Sequence, residues 1–429
     1  MTESEIRALV IDYGGVLMRT VDPRPRRELE QQFGPPSDGA PSDGAPSGSV
    51  DRLVFESPLW DEVQLGRIED AEFWADVGRR LGLDADGVAG FRRTFWAGDR
   101  LDTELVDLIR HLRAAGYCTV LLSNAPAGLR QHVDQLGIAD AFDHIVISGA
   151  EGLMKPDPAL FERALARIGV LAEQAIFVDD MQVNVDAAAR VGLRAVRFRG
   201  LPPLRKSLRG LGVPVTEPVL SPVPDVRAVI FDWGGVMEPL PDDDHVAEWE
   251  RRLALSPGTL SEVLWGEPWR RLSIGAATKD EYLRAVGERL HLPDVETVRY
   301  FLDEFYADER FNPEVVAAAR ALRGRYQVAL LSNAAPDQAD WVRERFGLDL
   351  HAEFDAYVNS AHAGMRKPDP AIFQRMLDQL EVAPEQAILV DDRLRNVDSA
   401  REMGIHAVQF VDPDTSLGEL AALLGDSPA

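Results

Sequence analysis

At 429 residues, with 45% hydrophobic and 27% charged residues, the chain has the balance of a globular protein of two or three domains. Its 71 acidic against 46 basic residues leave a net charge of −25, which argues against a nucleic-acid groove or an anionic membrane surface as partner. The single cysteine, Cys118, excludes an intramolecular disulfide, no apolar run approaches a membrane span, and the N-terminal stretch lacks a basic-then-apolar leader, so the chain reads as a cytoplasmic protein.

The first element is an apolar run, Ala8 to Ile11, that delivers Asp12 and stops at Gly14-Gly15. Such a run predicts a buried parallel strand, and the paired glycines let the chain turn sharply with its backbone exposed. Residues 18–99 read as a mostly helical insertion. Within it Pro35 to Ser49 is repetitive and rich in Pro, Gly, Ser and Asp, which predicts a disordered surface loop. Phe73, Val77 and Leu81 recur at helical spacing and read as core, as do most of Trp60, Trp74 and Trp96. Trp96, Arg100 and Arg67 are the candidates for a pocket mouth.

Strands then return. Tyr117 to Leu122 ends in Ser123-Asn124, Ile145 to Ile147 leads to Lys155-Pro156-Asp157-Pro158, and Ala175 to Val178 ends in Asp179-Asp180. Asp157 suits a helix N-cap with Pro158 at the first helical position, and the helix behind it places Phe161, Leu165 and Ile168 on one face. The helix carrying Asn184 stops at Gly192.

Residues 214–225 are proline-rich and non-periodic, a semi-extended linker. Beyond it the landmarks recur in order: Asp232 before Gly234-Gly235, Ser332-Asn333, Lys367 before Pro368-Asp369-Pro370, Asp391-Asp392 and Asn396. A second helical insertion at about 239–308 carries Tyr282, Val286 and Leu290, with Thr278 and Glu281 as a capping box. The pattern predicts two tandem α/β domains, 1–213 and 226–429, each a doubly wound parallel sheet with a helical insertion. In such sheets ligands bind beyond the carboxyl ends of the strands, where all four landmarks sit.

The ordered set resembles, twice over, the phosphatase branch of the haloacid dehalogenase superfamily, and the insertions resemble its helical cap. The resemblance implies Rossmann-like domains and a Mg²⁺-dependent hydrolase acting on a small phosphorylated metabolite through an aspartyl phosphate. It implies Asp12 and Asp232 as nucleophiles, Ser123 and Ser332 as hydroxyl donors to the phosphate, and Lys155 and Lys367 as balancing charges. Asn124, Asn333, Gly15 and Gly235 would contact the phosphate, while Asn184 and Asn396 would hold the lysine or metal shell in place. The implied metal ligands are Asp12, Asp180, Asp232 and Asp392, the backbone carbonyls of Gly14 and Gly234, and Asp179 and Asp391 directly or just behind them. The chemistry is coherent on its own terms. A carboxylate can take up a phosphoryl group and split one hard displacement into two, and a dianionic phosphate among carboxylates needs added cations.

One position departs from that family's pattern. The aspartate usually found two residues after the nucleophile, which protonates the leaving group and then activates water, is replaced by Gly14 and Gly234. Acid–base help of this kind is worth roughly 10²–10⁴-fold. The loss points to anomeric sugar phosphates, acyl phosphates or phosphoanhydrides, or to a proton supplied by the cap or the substrate. The same site is compatible with a phosphotransferase, a (di)phosphate lyase or cyclase, or one catalytic half with a degenerate regulatory twin. Either a monomer or a homodimer fits.

Overall fold

Because a four-residue apolar run buried on both faces has no amphipathic alternative, the segments that lead to Asp12 and Asp232 become the central strands of parallel sheets. The computed structural model describes residues 5–34, 49–215, 218, 220–307 and 310–426. Two units divide between Pro218 and Val219. The loop expected at Pro35–Ser49 lies, apart from Ser49, outside the described residues. Within the stretch read as a linker, the Val223 amide donates to Leu423 O at 2.8 Å, so its end packs with the second unit.

In the first unit the strands are β1 (Ala8–Ile11), β2 (Met18–Thr20), β3 (Asp99–Leu101), β4 (Cys118–Ser123), β5 (His144–Ile147), β6 (Ala175–Asp179) and β7 (Arg194–Arg197). Five form a parallel sheet in the order β5-β4-β1-β6-β7, while β2 and β3 pair antiparallel at the base of the insertion. The second unit has β8 (Ala228–Phe231), β9 (Gln327–Ser332), β10 (Ala356–Asn359), β11 (Ala387–Asp391) and β12 (His406–Gln409), ordered β10-β9-β8-β11-β12. Register sets the site: Ile11 lies opposite Leu121 and Val178, and Phe231 opposite Leu330 and Val390. The landmarks therefore leave each sheet at the same edge.

The strands run one residue further than the apolar pattern predicts. Ser123 still pairs with Ile147 and Asp179 with Arg197, because a backbone ladder is indifferent to a polar side chain at its end. The outer strands β7 and β12 and the β2–β3 ribbon escape the sequence reading. They are three or four residues long and carry Arg or His, so no hydrophobic period marks them.

Among the described residues each insertion has five helices and an apolar cluster of its own. Phe73, Trp74, Val77 and Phe95 are buried in the first, with Leu81, Trp60 and Trp96 packed against them. Tyr282, Val286, Leu290 and Phe305 are buried in the second, where Trp249, Trp265 and Trp269 pack. The capping box forms: the Thr278 amide donates to Glu281 Oε2 at 2.7 Å and the Glu281 amide to Thr278 Oγ at 3.2 Å. The insertions seat on the sheets through glycines. A Cβ on Gly66 (φ +68°) would stand 2.1 Å from Gly149 O, and one on Gly275 (φ +71°) 2.6 Å from Ala361 O. Among the described residues no helix is long and apolar enough to cross a membrane.

Candidate active site

The centre of each site is a buried lysine between two carboxylates. Lys155 Nζ lies 2.8 Å from Asp12 Oδ1 and 2.6 Å from Asp179 Oδ2, and Lys367 Nζ lies 2.8 Å from Asp232 Oδ1 and 2.7 Å from Asp391 Oδ2. All six side chains are nine-tenths or more buried, so each charge depends on its partners. Asp179 is held further by the Met181 amide at 2.9 Å and by Asn184 Nδ2 at 3.0 and 3.1 Å; the Arg393 amide and Asn396 do the same for Asp391. Asn184 and Asn396 thus sit on the inner aspartates, which in turn hold the lysines.

Asn124 and Asn333 join two loops. Asn124 Nδ2 donates to Lys155 O at 2.8 Å while the Lys155 amide donates to Asn124 Oδ1 at 2.7 Å, and Asn333 makes the same pair with Lys367 at 2.8 Å each. These asparagines pin the lysine loop to the end of the serine strand. The Lys–Pro peptides at 155–156 and 367–368 are cis. Ser123 and Ser332 are buried at the same strand edge as the carboxylates.

Gly15 and Gly235 have a steric duty. Both have positive φ, and a Cβ on Gly15 would stand 2.3 Å from Asp180 Oδ2, one on Gly235 2.4 Å from Asp392 Cγ. The outer acid of each pair packs directly on the glycine turn. Asp12, Asp179 and Asp180, and likewise Asp232, Asp391 and Asp392, bring carboxylate oxygens within 4.8 Å of one another.

Three carboxylates around one ammonium leave an excess of negative charge. Burial first, then the neighbouring Asp179 and Asp180, push Asp12 from 3.8 up to about 7 against the pull of Lys155. Burial and Asp179 push Asp180 to about 6, and Asp392 is likewise pushed to about 6. Asp232 is raised by burial, against the pull of Lys367. Burial opposes the charge on both lysines, but the flanking aspartates outweigh it and hold each above its ordinary value.

A family description, haloacid dehalogenase-like hydrolase, matches residues 6–192 and again 226–404. The chain belongs to that family. It is a haloacid dehalogenase-type enzyme of two tandem Rossmann-like units. It is 34% identical over 209 residues to acyl-CoA dehydrogenase family member 10 of Mus musculus, spanning 46% of this chain but only 19% of that protein. It is 31% identical over 141 residues to a sesquiterpene phosphatase of Aspergillus oryzae, covering 33% of this chain and 72% of the relative. A haloacid dehalogenase-like hydrolase structure from Porphyromonas gingivalis overlays at 22% identity and a TM-score of 0.41, covering 47% of this chain and all of that one (100%).

Of the mouth candidates, Arg67 ion-pairs Glu62 at 2.8 Å, Arg100 donates to Ala97 O at 2.8 Å and Asp99 O at 3.0 Å, and Trp96 packs in the insertion cluster. The sequence reading misses Gln64. This haloacid dehalogenase unit uses it as a stitch: Gln64 Nε2 donates to Asn124 O at 2.9 Å and Ser148 Oγ donates to Gln64 O at 2.6 Å. In the sequence only a glutamine two residues before a glycine, Gln64-Leu65-Gly66, stands there, which marks no contact.

Proposed function

We propose that each unit is a magnesium-dependent phosphohydrolase site that passes a phosphoryl group from a small phosphorylated metabolite to water through an aspartyl phosphate. The observation that carries this reading repeats in both units: one buried lysine holds Asp12 and Asp179, or Asp232 and Asp391, at 2.6–2.8 Å, with a carboxylate oxygen of Asp180 or Asp392 within 4.8 Å of theirs. The phosphatase activity of the Aspergillus oryzae relative supports it.

The residues suit a divalent cation. Each site gathers more carboxylate charge than its lysine balances, and Asp392 Oδ1 is buried without a hydrogen-bond partner among the described residues. Asp12, Asp180 and the Gly14 carbonyl, with Asp179 beside them, would hold magnesium in the first unit; Asp232, Asp392, the Gly234 carbonyl and Asp391 would do so in the second. Bound there, it would supply positive charge for the phosphoryl oxygens.

The chain's own groups then have defined tasks. A carboxylate oxygen of Asp12 or Asp232 attacks phosphorus; the O–P bond forms as the bond to the leaving oxygen breaks. Lys155 or Lys367 neutralises charge on nucleophile and phosphoryl group, and Ser123 or Ser332 donates its hydroxyl to a phosphoryl oxygen. With glycine at positions 14 and 234, no side chain two residues along delivers a proton, so the leaving group departs as a stable anion or brings its own proton. Water then attacks the aspartyl phosphate and frees the carboxylate and inorganic phosphate. Acyl phosphates, anomeric sugar phosphates and phosphoanhydrides meet that requirement.

The test is a phosphate-release screen with Mg²⁺ over phosphorylated metabolites of graded leaving-group pKa. Expected is a kcat/KM that falls at least about tenfold between acyl and simple alkyl phosphates. A flat series contradicts the leaving-group argument, and no release from any substrate contradicts the hydrolase reading.

A further inference from the structure

Away from the carboxylate centre, the second unit has a cleft on the outer side of its sheet, lined by Arg375, His351, His362, Tyr357, Asn359 and Gln379 among others, with no acidic side chain on its wall among the described residues. In a chain of net charge −25, a wall with three basic side chains and no acid stands apart. Its volume is about 190 Å³, below the 300–1,000 Å³ or so of drug-sized sites and suited to a small polyatomic ion with its waters.

The first unit differs at the matching positions. There the equivalent helix, Pro158–Ile168, carries Arg163 and Arg167, both paired with Glu151 at 3.2 and 2.9 Å. In the second unit the corresponding positions hold Arg375, Gln379 and Ala363: one guanidinium and no acid. Among the described residues Arg375 has no carboxylate partner. Tyr357 and Asn359 likewise replace Ile145 and Ile147, which the sheet register makes their counterparts.

A hydrogen-bond chain leads from this wall to the strand-end serine. Tyr357 Oη donates to Gln338 Oε1 at 2.9 Å, and Gln338 Nε2 donates to Ser332 Oγ at 2.9 Å. Asn359 Nδ2 braces it by donating to Tyr357 Oη at 3.1 Å and to Ala335 O at 2.9 Å. With one lone pair of Ser332 Oγ taken by Gln338, its single proton stays free to point into the site. The first unit has no such chain, since no group among its described residues hydrogen-bonds Ser123 Oγ.

We propose that this cleft binds a small phosphate-type oxyanion through Arg375, the two histidines and Tyr357, and that the Tyr357–Gln338–Ser332 chain reports its occupancy to the carboxylate centre. An anion seated there takes the Tyr357 hydroxyl proton as its hydrogen bond. Gln338 then loses the donor that fixes its amide, and Ser332 loses its fixed orientation. Occupancy therefore weakens phosphoryl binding at Ser332, by about fivefold at the lower end of ordinary couplings. The binding claim stands apart from the hydrolase reading; only the effect on phosphoryl binding rests on it.

The test is a titration of the full chain with inorganic phosphate, without metal, followed by the ring signals of His351 and His362 and the side-chain amide signal of Gln338 in nuclear magnetic resonance. Saturable shifts of all three are expected, with apparent affinity weakened at least about tenfold by Arg375→Glu and partly kept by Arg375→Lys. Tyr357→Phe removes one donor to the anion, so the histidine shifts should still saturate, at a weaker apparent affinity held by Arg375, while the Gln338 shift should vanish. Histidine shifts that do not saturate, or that survive Arg375→Glu, overturn the site. A Gln338 shift that persists in either Arg375→Glu or Tyr357→Phe overturns the coupling, and neither result depends on turnover.

Discussion

At the start of the helix after the acidic pair the first unit reads Met181-Gln182-Val183 and the second Arg393-Leu394-Arg395. Met181 and Val183 are 56% and 47% exposed, large apolar side chains at the mouth of a charged site. Arg393 instead ion-pairs the outer acid Asp392 at 3.3 Å. Next to Asp12 and Asp232 the contrast repeats: Tyr13 Oη is buried with no hydrogen-bond partner among the described residues, whereas Trp233 Nε1 donates to the buried Glu238. The centre itself is the same in both to within a tenth of an ångström at the lysine contacts. A buried lysine between carboxylates tolerates no partial loss, since removing one partner strands the others. The mouth carries no such interlock, so the two copies have diverged there.

The largest effects come from splitting the copies. Asp12→Asn and Asp232→Asn should each silence one unit, by at least about 10³-fold, and the double variant should release no phosphate. With the second unit silenced, the remaining activity should favour substrates with an apolar leaving group; with the first silenced, those with a further anionic group. Identical substrate profiles for the two single variants would show that the mouths do not set specificity. If one single variant alone abolishes turnover, only one copy is catalytic.

Next in size is the glycine pair. A Cβ on Gly14 meets nothing within 4 Å, and one on Gly234 only Leu240 at 3.6 Å, whereas Gly15 and Gly235 have no room. Gly14→Asp should fold and raise kcat/KM for an alkyl phosphate by up to about 10²-fold. Gly15→Ala should push Asp180 aside and weaken Mg²⁺ binding, read by metal titration. Equal behaviour of the two variants would contradict the assigned packing.

The pH dependence of stability follows from the carboxylates. Asp12 titrates near 7 in the folded protein against an ordinary 3.8, so between those values the native state keeps a proton that the unfolded chain has lost. Stability of the metal-free protein is fully present below about pH 4 on this account and is lost as pH rises toward 7. Melting in EDTA should show Tm falling across that window, with the gain from Mg²⁺ largest at its alkaline end. A Tm in EDTA that rises with pH there contradicts the carboxylate cluster as the cause. The smallest effect is at Arg393, half exposed, where Arg393→Met should tighten Mg²⁺ in the second unit by about twofold and leave the first unchanged.

The repeat, the central strands, the helix starts at Asp157 and Asp369 and the order of the charged landmarks were all legible in the sequence. Each is written in local chemistry: an apolar run, a capping carboxylate ahead of proline, a glycine after a helix. The side chains of Asp157 and Asp369 do accept from the Ala159 and Ala371 amides at 2.9 Å. Periodicity could not show the short edge strands, since Arg194 and His406 interrupt any apolar pattern there.

By itself, then, the sequence determined that one acidic constellation is built twice at the carboxyl ends of parallel strands. Only the tertiary structure decided which partners each group takes. It placed Asn124 on the backbone of Lys155, Gly15 beneath Asp180, and Gln338 on Ser332, pairings between residues 6 to 165 positions apart. Such pairings depend on strand register and loop path, and those are set by the packing of the whole unit rather than by any stretch of sequence near the site.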